Sequence, residues 1–98
     1  MREKTLEHKF VMEVKRTGGL APKLVSPGFD GMPDRLLLLP GGKVAFVEVK
    51  APGQKPRPLQ LSRHKLLTGL GFRVFVLDDV RQVGEIISEV MLNEIQSP

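Results

Sequence analysis

An aspartate at position 34, a glutamate at 48 and a lysine at 50 bracket two apolar runs in the stretch GMPDRLLLLPGGKVAFVEVK, residues 31–50. Charges at such places carry a desolvation cost unless something uses them. Glu48 and Lys50 are two residues apart, so on a strand both side chains emerge on the same face. Asp34 lies at the far end of the partner run. If the link is the three-residue loop Pro40-Gly41-Gly42, with a glycine in the left-handed conformation, residue 39 pairs with 43 and Asp34 falls opposite Glu48. A two-residue turn at Gly41-Gly42 slips the register by one and needs a bulge. Either geometry gathers the three groups at one end of a hairpin.

Two carboxylates brought that close repel each other and raise the proton affinity of at least one, unless a cation sits between them. A hard divalent ion, Mg²⁺ or Mn²⁺, suits such an oxygen-only set: one or two carboxylates, a backbone carbonyl and waters. Such an ion lowers the pKa of a bound water, bridges to a phosphate oxygen and stabilises charge as a phosphodiester opens. Lys50 would then position or activate the water and neutralise developing negative charge. The competing reading is an exposed strand end with local salt bridges, Asp34 to Arg35 and Glu48 to Lys50.

The elements that must position these groups follow from periodicity and punctuation. EKTLEHKFVMEVKRTGG sets Leu6, Phe10 and Val14 at successive four-residue steps, with Val11 on the same face, and ends in Lys15, Arg16 and Gly18-Gly19. That is an amphipathic helix with a C-terminal stop. Leu20 to Gly28, interrupted by Pro22 and Pro27, reads as an edge strand. Leu36–Leu39 and Val44–Val49 form the hairpin. After the loop APGQKPRP comes a helix bearing Leu59, Leu66, Leu67 and Leu70, with Pro58 in its first turn and Gly69 or Gly71 at its end. FRVFVLDD alternates into a buried strand, and VGEIISEVMLNEI closes the chain as an amphipathic helix. The order is αβββαβα, an α/β pattern without repeats or low-complexity tracts.

Composition sets the bounds. The 98 residues, 41% hydrophobic and 27% charged, fit a single domain over residues 1–98 with a modest core. The absence of cysteine excludes disulfide partners and thiolate metal sites. No apolar run approaches the roughly 20 residues that cross a bilayer, and the N-terminus lacks an apolar signal core, so no membrane is expected and a cytoplasmic location in a bacterial or phage-infected cell is. The net charge is +4, and between Lys50 and Leu77 six basic residues occur without an Asp or Glu. That block is either a solvated face or a phosphate-binding surface. His8 and His64 have no helically spaced His or carboxylate partner for zinc, and both are expected as surface or capping residues.

From Gly31 to Leu77 the chain resembles the virus-type replication-repair nuclease (VRR-NUC) family of the PD-(D/E)xK nuclease superfamily. Pro33-Asp34-Arg35 preceded by Gly31, then Glu48-Val49-Lys50, then Gln60 in the helix before LLTGLGFRVFVL, carry the likeness. D…ExK alone is a weak signal; the combination at this spacing is specific. The resemblance implies a restriction-endonuclease-like αβββαβ core, a mixed sheet flanked by helices, with the C-terminal helix added. It implies Asp34 and Glu48 as metal-binding carboxylates, the Val49 carbonyl as third ligand, Lys50 as catalytic lysine and Gln60 as the residue orienting water or phosphate. Glu7 matches the family's acidic residue of the first helix, with Glu3 and Glu13 as alternatives.

On that resemblance Lys55, Arg57, Arg63 and Lys65 flank a metal site as phosphate contacts. Ser26 and Arg35 either touch phosphate or brace the site. With neither Trp nor Tyr and only five Phe, base stacking is poorly supported, so duplex or junction geometry is the expected target. Symmetrical cutting needs two active sites, and standalone phage-like relatives resemble dimeric, structure-selective junction nucleases. A homodimer is therefore expected, with the C-terminal and first helices as candidate contact surfaces, the alternative being that their apolar faces are core. The function class is a metal-dependent DNA endonuclease; the alternative is a non-catalytic DNA-binding or recombination accessory module with the same fold.

Overall fold

The computed structural model describes residues 1–92. At its centre the hairpin pairs β1 (Arg35–Leu39) with β2 (Lys43–Val49), antiparallel, with Leu39 opposite Lys43 and Arg35 opposite Val47. Pro40, Gly41 and Gly42 are left as the loop, so the three-residue connection is the one adopted. Gly41 and Gly42 have φ of +87° and +74°, a region that costs a side-chain-bearing residue about 1 kcal/mol or more. One step beyond the ladder, the same register sets Asp34 opposite Glu48.

On the other side of β2 lies β3 (Val74–Leu77), parallel to it, giving a three-stranded mixed sheet in the order β1-β2-β3. The edge strand expected over Leu20 to Gly28 is reduced to two antiparallel bridges, Leu20 to Leu38 and Lys23 to Arg35. Leu36 donates its N–H to the Pro22 carbonyl. Pro22 has no N–H to return, so the pairing is one-sided there, and it ends where Leu24 donates its N–H to the Asp34 carbonyl before Pro27 and Gly28 turn the chain away.

The sheet has two unlike faces. Ala45, Val47 and Val49 of β2, with Leu37, Leu39 and Leu77, form the core against α1 (Glu3–Arg16) and α3 (Gln82–Leu92). Leu6, Phe10 and Val14 of α1 and Val83, Ile86, Ile87 and Val90 of α3 fill that layer. Each such side chain contributes about 1.5–3 kcal/mol by leaving water. These apolar faces are therefore core, one of the two readings the sequence offered for them. Positions 93–95 of the expected last helix lie outside the described residues. Helix α1 ends where Gly18 takes φ +87° and Gly19 donates its N–H to the Val14 carbonyl.

Across the sheet, α2 (Pro58–Gly69) covers the other face. Its inward side chains are Gln60, His64 and Leu67, whereas Leu59, Leu66 and Leu70 are exposed. The leucine spacing pointed to an apolar inner face; the helix turns a largely polar one inward because it closes over Glu48. Phe46, on that face of β2, meets Phe72 edge to face at 5.6 Å. Among the described residues no helix is long and apolar enough to cross a membrane.

Candidate active site

Asp34 is fixed by backbone: its Oδ1 accepts the Val49 N–H at 3.0 Å. Beyond the end of β1 that N–H has no ladder partner, so the side chain takes the place of the next strand residue. In extended chain the N–H and C=O of one residue point the same way, which directs the Val49 carbonyl toward the Asp34 side as well. Glu48, only 2% exposed, is held from α2 and from its own strand. Gln60 Nε2 donates to Glu48 Oε2 at 3.0 Å, Lys50 Nζ lies 3.7 Å from the same oxygen, and His64 Nε2 is 3.3 Å from Oε1. Gln60 Oε1 in turn accepts the Arg57 N–H at 2.8 Å, so one amide both caps the start of α2 and ties the helix to the carboxylate.

The placement of His64 corrects its expected surface position: it is buried against Glu48. The signal was present as Gln60, His64 and Leu67, an i, i+4, i+7 stripe with polar residues where apolar ones usually stand. His8 is exposed, as expected, and lines a cleft of about 380 Å³ with Met12, Val80 and Val83 away from these carboxylates.

Arg35 pairs with Glu7 rather than Asp34, its Nε 2.9 Å from Glu7 Oε2, and donates through another guanidinium nitrogen to the Ala21 carbonyl at 2.7 Å. It thereby braces α1 and the Ala21 segment against β1. Glu13 is tied to Arg16 one turn on. Glu3 and Glu7 are the helix acids whose charge is felt at the site, Glu3 at Glu48 and Glu7 at Asp34. Arg63 stacks on Phe29, 3.9 Å from the ring centre, and donates to the Asp30 carbonyl at 2.7 Å. Lys55, Arg57 and Lys65 are exposed around α2, and Ser26 is half-buried in the loop before Gly31. Arg73 is engaged with Glu89.

Both carboxylates are pushed toward their protonated forms. Burial pushes Asp34 up to about 6, with the charges of Glu48 and Glu7 adding to the effect against the Val49 hydrogen bond. Burial also raises Glu48, opposed by the neighbouring Lys50. His64 is lowered by burial and by Lys50, which keeps its ring neutral near neutral pH. A divalent cation fits this donor set, since it would relieve both raised carboxylates. Among the described residues no group of three or more His, Asp or Glu side chains is gathered to hold one. The ion would therefore rest on Asp34, Glu48, the Val49 carbonyl and water.

Asp34 makes a measurable statement about the metal-free protein. The folded state keeps its proton up to about pH 6, the unfolded chain only to near the ordinary 3.8. Across that window the folded state binds more protons, so stability falls as pH rises from about 4 to about 6. Allowing for the partial exposure of Asp34, the loss is about 1–2 kcal/mol. Asp34→Asn keeps the acceptor for Val49 and removes the titration. In EDTA the variant should melt about 4–8 °C above the parent near pH 7.5 and level with it near pH 4. Equal melting points at both pH values would remove the strain assigned to Asp34.

A mixed sheet with helices on both faces, and an acidic pair beside a lysine at the end of its central hairpin, is the architecture of a PD-(D/E)xK-type nuclease. The comparisons narrow the class. No protein-family model matches the chain. It is 55% identical over 78 residues to "Putative nuclease p44" of Acyrthosiphon pisum secondary endosymbiont phage 1, covering 80% of this chain and 84% of the relative. A solved VRR_NUC domain superimposes with a TM-score of 0.83 at 34% identity, covering 90% of this chain and 97% of that one. The chain belongs to the VRR-NUC family of nucleases.

Proposed function

We propose that this chain is a divalent-metal-dependent DNA endonuclease, with Mg²⁺ or Mn²⁺ as cofactor, that acts as a homodimer on branched DNA. The observation that supports this most is the convergence of Asp34, Glu48 and Lys50, with Gln60 on the same Glu48 oxygen as the lysine. Held by Asp34 and Glu48, a divalent ion would supply charge stabilisation for phosphodiester hydrolysis and lower the pKa of a water.

The chain's own residues do the rest. Asp34 and Glu48 hold the ion, Asp34 fixed by the strand end and Glu48 by α2. Lys50, with 17% of its side chain exposed, stands where the buried carboxylate meets solvent. From there it positions the attacking water and offsets the charge that builds on the phosphate as the P–O bond breaks. Gln60 keeps Glu48 aimed at the ion. The exposed Lys55, Arg57 and Lys65 contact flanking phosphates, with Arg63 and Ser26 at the margin, and such contacts position a duplex without reading its sequence. One domain offers one active site, so paired cuts across a junction need a two-fold partner.

The test is cleavage of an end-labelled four-way junction beside a matched linear duplex, in Mg²⁺, Mn²⁺ or EDTA, for the parent and Asp34→Ala. Expected are paired, metal-dependent nicks in the junction and none with the variant. Cutting of both substrates would broaden the reading to a general endonuclease. Binding without cleavage under every ion would replace it with an accessory DNA-binding module.

A further inference from the structure

His64 lies outside the motif that carries the family likeness, yet it reaches the centre of the site. Its ring is buried, and its Nε2 is 3.3 Å from Glu48 Oε1, the carboxylate oxygen that Gln60 and Lys50 do not engage. Gln60 and His64 are four residues apart on α2, so they project from one face a turn apart. The two therefore grip the two oxygens of one carboxylate from one rigid element. A glutamate held at a single oxygen still swings about its last torsion, which is broad and weakly preferred. Held at both, its plane is fixed.

We infer that His64 is a positioning residue for Glu48, setting the plane of the carboxylate that faces the cation. The assignment rests on the metal-site reading above. In the tautomer with its proton on Nε2, the ring donates to Glu48 Oε1 and leaves Nδ1 as an acceptor. Among the described residues no buried side-chain nitrogen or oxygen lacks a partner, so removing this donor leaves a buried carboxylate oxygen newly unsatisfied. Partners that orient a metal ligand without touching the metal are worth about 10–100-fold in metal affinity. A histidine that merely filled space would be replaceable by any side chain of its size.

The experiment compares the parent with His64→Leu and His64→Gln. Leucine keeps apolar bulk and loses the donor, whereas the glutamine Nε2 reaches about as far as the ring Nε2. Mn²⁺ affinity is measured by titration calorimetry, with melting points in EDTA to show that each variant folds. His64→Leu should bind Mn²⁺ about 10–100-fold more weakly, and His64→Gln should stay within about threefold of the parent. A folded His64→Leu with parental affinity, or a His64→Gln as weak as His64→Leu, overturns the assignment. Should His64→Leu fail to fold, the imidazole ¹⁵N resonances of the parent decide. An Nε2 signal that moves on Mg²⁺ saturation upholds the link to Glu48, and one that stays fixed refutes it. A parent that takes up no Mn²⁺ at all overturns the metal-site reading itself, a result distinct from loss in the His64 variants alone.

Discussion

Glu48→Gln should slow phosphodiester cleavage by about 10²–10³-fold while the protein stays folded and still binds DNA. The substitution is chosen because the hydrogen bonds around Glu48 can survive it. A glutamine oxygen accepts from Gln60 Nε2 as the carboxylate does, and its amide can donate to a His64 ring that carries its proton on the other nitrogen. What disappears is the negative charge, and with it the pairing to Lys50 at 3.7 Å and half of the anionic pair opposite Asp34. Burial already opposes ionisation of Glu48, so the lost pairing with Lys50 is offset by the desolvation that an uncharged residue avoids. Initial nicking rates on the labelled junction, with a gel-shift control for binding, measure the effect. A rate within about tenfold of the parent would take Glu48 out of the metal set.

Gly31→Ala should destabilise the protein by about 2–4 kcal/mol and depress cleavage beyond what the unfolded fraction explains. Two costs add at this position. Gly31 has φ +90°, which L side chains rarely adopt, and a Cβ there would stand 2.7 Å from Leu59 Cγ and 3.2 Å from the Leu59 carbonyl. Leu59 Cγ is the branch carbon rather than the tip of its side chain, and the carbonyl belongs to the first turn of α2, one residue before Gln60. Relief therefore displaces the turn that aims Gln60 at Glu48, and displacements of about 1 Å near reacting groups cost on the order of 10²-fold in rate. Urea unfolding gives the stability, and rates taken where both proteins are fully folded give the rest. A variant as stable and as active as the parent would show that the loop before Asp34 packs loosely on α2.

The hairpin was legible because its determinants are local. The apolar run Val44–Val49, leucines confined between Pro33 and Pro40, and a Gly-Gly turn leave few registers, and only one sets Asp34 opposite Glu48 without a bulge. Helix α1 and the packing face of α3 were legible for the same reason. The segment over Leu20 to Gly28 was overread, since propensity shows that a strand is possible but not that prolines will cut its ladder to two bridges. Helix α2 was misread in its facing. Its leucines advertise an apolar inner side, yet a glutamate on the sheet beneath it selects Gln60 and His64 as partners and leaves Leu59, Leu66 and Leu70 in solvent. That pairing spans 16 residues, and its local trace, the Gln60, His64 and Leu67 stripe, marks an inward polar face without naming the carboxylate it meets. Gln60 entered through family resemblance, while the Glu7 to Arg35 pair, 28 residues apart, depended on how α1 packs.

The two faces of the sheet also differ in how firmly they are held. One is sealed by two helices over a continuous apolar layer; the other is closed by α2 through Leu67 and hydrogen bonds to a single carboxylate, with Phe72 beyond the helix meeting Phe46 edge to face. Free energies of local opening follow buried apolar contact, so α2 is the cooperative unit that detaches at lowest cost while hairpin, α1 and α3 remain assembled. Catalytic competence is then a separate equilibrium nested within the native state. On the proposed metal-site reading, a cation that grips Glu48 and Asp34 would draw its affinity partly from closing α2, and cation binding and helix docking would then be one transition.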